Sequence, residues 1–377
     1  MIADTIATGR HAFRPRFLKT LFIGPFVFSD SGWQWWLYDK SAEPAARLMD
    51  RHQLNGSDDS VVTLRHYKGR HAFRLDTGMA NYFAKEVEMT SLRTRLGALL
   101  GKSNPLLRYT HGTAETRHNL IVDDHTGYGI RTFALGEYVR HGLPRRQILI
   151  HEYLDGWRSL GDAWREASGQ AQQAALLARL ERLLAALHAN RICHLDLNAS
   201  HIMVPPDGTA ALRVIDCGKM CTEVRNPLIA TALHVGKMMR DLNGHTLDEP
   251  VLGEMALASF RRIVGDAADC AKSRQIVLLA CRYRLGKKIS KRHLVMNASL
   301  KHLNVAALEA RALTDHKNRN RLATPPRLTV PANTVGKPPL CHSEHDATAH
   351  PVSALNAVRS VRYMPLEEVR QIGGKAG

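Results

Sequence analysis

One ordered run constrains this chain more than any other: a leucine-rich helical segment, a polar loop, a short hairpin and then Asp-x-Gly. In AQQAALLARLERLLAALHANRI, Leu176, Leu177, Leu180, Leu183, Leu184 and Leu187 recur at helical spacing and make one broad apolar face. The helix is expected to end near His188 to Asn190. The loop His194-Leu195-Asp196-Leu197-Asn198-Ala199-Ser200-His201 follows. Two apolar runs, HIMV and ALRVID, are joined by Pro205-Pro206-Asp207-Gly208 and read as strand, turn and strand. The hairpin closes on Asp216-Cys217-Gly218, so two aspartates stand at its opposite ends.

Upstream the period changes from 3.6 to 2. VVTLRHY, HAFRLDT and NYFAKEV, with Gly78 between the last two, read as an antiparallel meander of β-branched and aromatic residues. Residues 89–120 read as helix, loop and helix, broken at Ser103-Asn104-Pro105. RTFALGEY and RRQILIHEYL, separated by HGLP, read as a further hairpin, and helices fill residues 227–305. Strands first and helices second is the signature of an α+β protein. The expected organisation is an extension with no assignable pattern (1–55), a small antiparallel-sheet N-lobe (56–154), a mostly helical C-lobe (155–310) and a basic, disordered tail (311–377).

Composition narrows the partners without choosing among them. Apolar residues are 44% of the chain, enough for a core, and 52 Lys and Arg against 35 Asp and Glu leave a formal charge of +17. Such a field attracts polyanions: nucleic acid, an acidic membrane surface or a phosphorylated substrate. The 6 cysteines lack paired short spacings, so they read as reduced thiols of a cytoplasmic protein. His194, His201, Cys217 and Cys221 lack the CxxC spacing of a zinc site. The run Leu21 to Phe28 is far short of the roughly 20 apolar residues that span a bilayer, and no cleavage pattern follows it. Trp33, Trp35, Trp36 and Tyr38 read as a packed N-terminal strand, with an anchor at a membrane interface as the alternative.

The paired aspartates suit phosphoryl transfer, where the protein mainly positions groups and stabilises charge. One carboxylate orients the attacking hydroxyl and takes its proton; the other holds the metal that bridges the phosphates. Asp196 fits the first role and Asp216 the second. The run resembles the kinase catalytic loop H-R-D-L-x-x-x-N followed by D-F-G: His194, Asp196, Asp216 and Gly218 match, Cys217 replaces Phe, and His201 stands at the Asn position. That resemblance implies a bilobal protein-kinase-like fold, a strand lysine on the ATP phosphates (Lys85) and a helix glutamate paired with it (Glu115). His201 binds metal or phosphate in its own way, or is a buried structural histidine, since imidazole suits Mg2+ poorly.

Gly69-Arg70-His71-Ala72-Phe73-Arg74-Leu75 with Tyr82-Phe83-Ala84-Lys85 is similar to the first lobe of bacterial lipopolysaccharide core kinases. The insert LGALLGKSNPLL and a histidine at position 201 are similar to their heptose-kinase branch, and Asp196-Leu197-Asn198-Ala199 to their Kdo-kinase branch. The resemblance covers residues 60–240. It implies ATP and Mg2+ as cofactors and a hydroxyl of an inner-core sugar as acceptor, carried by an anionic glycolipid at the cytoplasmic face of the inner membrane. Nucleic acid is not an expected partner. With glycine scarce in the nucleotide loop, Arg70 or backbone amides are expected over the phosphates, and Glu152 to Leu154 against adenine through backbone groups. Asn198 contacts phosphate or metal, or closes the loop as an Asn turn. Two alternatives stand beside this: a protein or small-molecule kinase of the same fold, and a pseudokinase binding module.

Overall fold

The computed structural model describes residues 26–323, apart from residues 31, 57, 68, 102–106, 108, 244–247, 286–288 and 297–301. The expected helix break at Ser103-Asn104-Pro105 therefore lies outside the described residues; of the disordered tail expected over 311–377, residues 311–323 are instead the end of a helix that starts at Val305, and residues 324–377 lie outside the described residues. One compact unit ends at Ala312, and a second begins at Leu313.

The first half of the chain alternates strands and short helices: β1 (Phe26–Asp30), β2 (Trp33–Leu37), α1 (Glu43–Asn55), β3 (Val61–Tyr67), β4 (Arg70–Asp76), β5 (Asn81–Glu88), α2 (Leu92–Leu100), α3 (Thr113–Thr126), β6 (Thr132–Arg140) and β7 (Leu143–Glu152). Seven strands form one antiparallel sheet in the order β1-β2-β6-β7-β5-β4-β3. Lys85 lies on a central strand, opposite Ala72 of β4 and Leu149 of β7. The β6–β7 connection is tighter than the HGLP spacing suggests. His141 and Gly142 alone form the turn, both at positive φ, which matches the strand twist and leaves Leu143 and Pro144 free to join β7.

Residues 26–55, for which the sequence offered no assignment beyond a packed strand, supply two strands and a helix to this sheet. The reason is burial. Trp33, Trp35 and Trp36 are 2%, 0% and 0% exposed, with Trp33 and Trp35 stacked and the Trp35 indole Nε1 donating to Asp50 of α1 at 3.3 Å. Tryptophans packed this deeply are core, so the alternative of an interfacial membrane anchor is withdrawn for them. Among the described residues no helix is long and apolar enough to cross a membrane.

The second half is helical: β8 (Arg158–Ser159), α4 (Leu160–Glu166), α5 (Gln170–Ala189), β9 (Cys193–His194), β10 (Ile202–Val204), β11 (Arg213–Val214), β12 (Met220–Cys221), α6 (Pro227–Asn243), α7 (Glu249–Val264), α8 (Ala271–Arg282), α9 (Lys291–Met296) and α10 (Val305–Ala323). Helix α5 buries Leu180, Leu183, Leu184 and Leu187 along one face. Helix α6 is buried nearly all round, from Ile229 to Leu242, and is the centre about which the others pack. The expected hairpin forms, Ile202 pairing with Val214. A second pair, β9 with β12, sets His194 opposite Met220. These two small ladders lie over α6 and hold the Asp196 loop between them.

Candidate active site

Three charged groups meet where the sheet faces the helical half. Lys85 Nζ lies 2.9 Å from Glu115 Oε1, 3.1 Å from Glu115 Oε2 and 2.9 Å from Asp216 Oδ1. Glu115 sits in the first turn of α3 and is 2% exposed. The start of α3 is fastened to the sheet by a buried chain of donors: Thr113 N donates to Tyr109 Oη at 3.0 Å, Tyr109 Oη to Gln147 Oε1 at 2.7 Å, and Gln147 Nε2 to Glu137 Oε2 at 2.6 Å. Burial alone would push Lys85 down, but Glu115 and Asp216 outweigh it and hold the ammonium above its ordinary range. Burial likewise would raise Asp216; the Lys85 charge and hydrogen bond overcome it, and the carboxylate stays well below the usual range.

Asp216 has φ of 59°, the left-handed region that few residues other than glycine adopt. Its neighbours explain the conformation. Ile215 N donates to His201 O at 2.9 Å, and the Cys217 carbonyl accepts from His118 Nδ1 of α3 at 2.9 Å. At Gly218 a Cβ would stand 2.2 Å from the Thr110 carbonyl oxygen, so only glycine lets the chain pass there. The turn is pinned from both halves.

The Asp196 loop is held by histidines and an asparagine. Asp196 N donates to His194 Nδ1 at 3.2 Å, which leaves the proton on His194 Nε2, facing the Ile215 carbonyl at 3.4 Å. His234 Nε2 of α6 donates to the His194 carbonyl at 3.1 Å. Burial pushes both rings down, His194 to about 3 and His234 to about 4, so both are neutral. His201 Nδ1 donates to the Asp196 carbonyl at 3.1 Å, and its Nε2 stands 3.8 Å from Asp216 Oδ2. One ring thus touches both aspartates. Asn198 Oδ1 accepts from Ser200 N at 2.9 Å and Asn198 Nδ2 donates to the Asp196 carbonyl at 3.3 Å, so this side chain closes the loop.

Three lysines gather at Asp196. Lys219 Nζ is 3.1 Å from Asp196 Oδ2; Lys237 Nζ is 3.9 Å from Asp196 Oδ1 and 3.2 Å from the Asp196 carbonyl; Lys291 Nζ donates to the Leu195 carbonyl at 2.8 Å. Burial would raise the Asp196 carboxyl, but the lysines outweigh it and keep the group ionised below the usual carboxylate range. Burial lowers Lys237 to about 8.

Of the residues singled out in the sequence, Lys85, Glu115, Asp216, His201, Asn198 and Asp196 form one continuous set of contacts. Arg70 lies nearby, its Nη2 2.9 Å from His111 Nε2, just before α3. The Glu152 side chain is engaged elsewhere: its Oε1 accepts from Arg131 N at 2.9 Å and stands 3.4 Å from Arg213 Nε. The Glu152 backbone N also donates to the Arg131 carbonyl at 3.0 Å, and Leu154 O accepts from Trp157 N at 3.4 Å. His118, His234, Lys237 and Lys291 were not singled out. Each reaches the site from a helix remote in sequence, and a lone His or Lys in a helix carries no local signal.

Residues 122–229 match a family model described as "Lipopolysaccharide kinase (Kdo/WaaP) family". The match contains Asp196, His201 and Asp216; Lys85 and Glu115 lie upstream of it. A solved structure, "WaaP in complex with acyl carrier protein", aligns with 16% identity and a TM-score of 0.35 over 73% of this chain and 96% of that one. A likeness at that score carries no argument about function. No curated protein matches this chain.

Proposed function

We propose that this chain, whose residues 122–229 match the Kdo/WaaP lipopolysaccharide kinase model, transfers the γ-phosphoryl group of ATP to a hydroxyl of an inner-core sugar, heptose or Kdo. The observation that carries the reading is the meeting of Glu115 and Asp216 on Lys85 within 3.1 Å, with the His201 ring between Asp216 and Asp196.

In this reading Asp196 accepts the proton of the attacking hydroxyl. The surrounding lysines keep it ionised, so it is ready to do so at neutral pH. Lys85, oriented by Glu115, binds phosphate oxygens, and Arg70 covers them from the β3–β4 turn. The backbone between Glu152 and Leu154 takes the adenine. Asp216 suits Mg2+, which needs only one or two protein carboxylates besides the phosphates: it is ionised, a hard oxygen donor and 45% exposed. His201 or Asn198 would stand beside the ion, which would supply positive charge to offset that of the phosphates. An anionic glycolipid acceptor at the membrane surface suits the net charge of +17.

The test is phosphate transfer from labelled ATP, with Mg2+, to deacylated inner-core oligosaccharide by the full chain. Asp196→Ala should lose about 10²- to 10⁴-fold in turnover while keeping Mg-ATP binding, read as a thermal shift. Asp216→Ala should lose the Mg-dependent thermal shift as well. A wild-type rate in Asp196→Ala, or no transfer to the oligosaccharide by the wild type, overturns the reading.

A further inference from the structure

The lysines around Asp196 are more than its ionisation requires. Lys219, Lys237 and Lys291 converge from three separate places: the residue just before β12, the middle of α6 and the first position of α9. The carboxylates nearby are Asp196 and Asp241, and Asp241 is itself taken by Arg240 at 3.3 Å. Lys237 and Lys291 each spend one contact on a loop carbonyl, at 3.2 and 2.8 Å. Holding a carbonyl needs no charge; an amide or hydroxyl does it without the cost of removing a cation from water. Two such cations, both lowered by burial, Lys237 further by Lys291 and Lys291 by Arg240 and Lys219, make sense where an anion completes the cluster.

We propose that Lys219, Lys237 and Lys291 form an anion subsite beside Asp196 that takes an acidic group of the acceptor, a carboxylate or phosphate near the hydroxyl to be phosphorylated. The inference rests on the kinase reading and adds where the acceptor's charge is held. The subsite belongs to the acceptor side because all three lysines touch Asp196 or Leu195, whereas the Lys85 ammonium serves Asp216 and Glu115. Lys219 Nζ lies 3.1 Å from the Asp196 carboxylate, so the acidic group and the reacting hydroxyl must sit on the same sugar or on adjoining ones.

The test uses the full chain with deacylated inner-core oligosaccharide, the same material with its carboxylates reduced, and the same material dephosphorylated. Lys219→Gln and Lys291→Gln should each raise the acceptor KM about tenfold with the ATP KM unchanged, and Lys291→Arg should recover most of the loss. The acceptor whose modification abolishes the lysine dependence identifies the group bound. Calorimetric binding of the oligosaccharide without ATP gives a readout that needs no turnover; the Lys219→Gln/Lys291→Gln double variant should bind at least tenfold more weakly. A rise in the ATP KM alone assigns the lysines to the triphosphate and overturns the proposal, as does an unchanged KM for both substrates. Lysine-dependent binding with no transfer by the wild type sinks the kinase reading and leaves the subsite standing.

Discussion

Lys85 is the residue on which the two halves of the site depend, and it shows how a buried charge is kept. Glu115 is almost fully enclosed, and its carboxylate is tolerable there because an ammonium stands 2.9 Å away. Lys85→Met would leave that carboxylate without its cation. We expect a loss of stability of about 3 kcal/mol, together with loss of the Mg-ATP thermal shift. Lys85→Met/Glu115→Leu should recover most of the stability and none of the activity, because an apolar pair packs where a lone charge cannot. Urea unfolding of both variants measures this. Equal stability of the single and double variants would show that Glu115 is not held as a charged group. Lys85 and Glu115 were legible in the sequence only through the kinase-like order around them, since a strand lysine taken singly is an ordinary exposed residue.

Helix α3 is the element that joins the sheet and the Asp216 turn, and its start is set by Gly112. That residue has φ of 52°, and a Cβ on it would stand 1.7 Å from Gln147 Oε1, inside the buried network that fastens the helix. Gly112→Ala should therefore cost more than about 2 kcal/mol and raise the ATP KM, through displaced Glu115. Gly127, at the other end of α3, has φ of 68° and nothing within 4 Å of a Cβ. Gly127→Ala should cost only about 1 kcal/mol and leave the ATP KM alone. Thermal melts and ATP kinetics on the two variants separate steric displacement from backbone strain; similar kinetics would remove α3 placement from the mechanism. The three strands of the meander and α5 followed closely from period and turn residues, whereas β1, β2 and the start of β7 did not. The α3 start did not, because its fixing partners, Tyr109 and Gln147, belong to a turn and a strand whose meeting is non-local.

Five buried histidines are held neutral across the sheet and the helical half. Burial lowers His111, His151 and His194 to about 3, and His118 and His234 to about 4. Each would titrate near 6.5 in the unfolded chain, so below that pH the unfolded state binds protons that the folded state refuses. The stability these groups protect is full above pH 6.5 and is lost as pH falls toward 4. With two or more such protons taken up on unfolding, the free energy of unfolding should fall by over about 2 kcal/mol per pH unit between pH 6 and 5. Urea titrations at several pH values test this, and a flat profile would mean that the rings are protonated in the fold. Since these histidines lie on both sides of the site, around α3, β7 and the Asp196 loop, activity should be lost over the same interval.

Short-range pattern was enough for much of this protein. Alternation of apolar residues marked the meander, leucine spacing marked α5, and the turn residues between Asp196 and Asp216 marked a hairpin with a carboxylate at each end. Those features depend on neighbours a few residues apart, and so they are written in the order of the residues. The joining of β1 and β2 to the sheet and the contact of Lys85 with Asp216 depend on segments far apart in the chain. The same holds for the gathering of Lys219, Lys237 and Lys291 at Asp196. Packing of two cores, one against the sheet and one about α6, brings these groups together, and no local run of residues records which distant charges a closed core will set side by side.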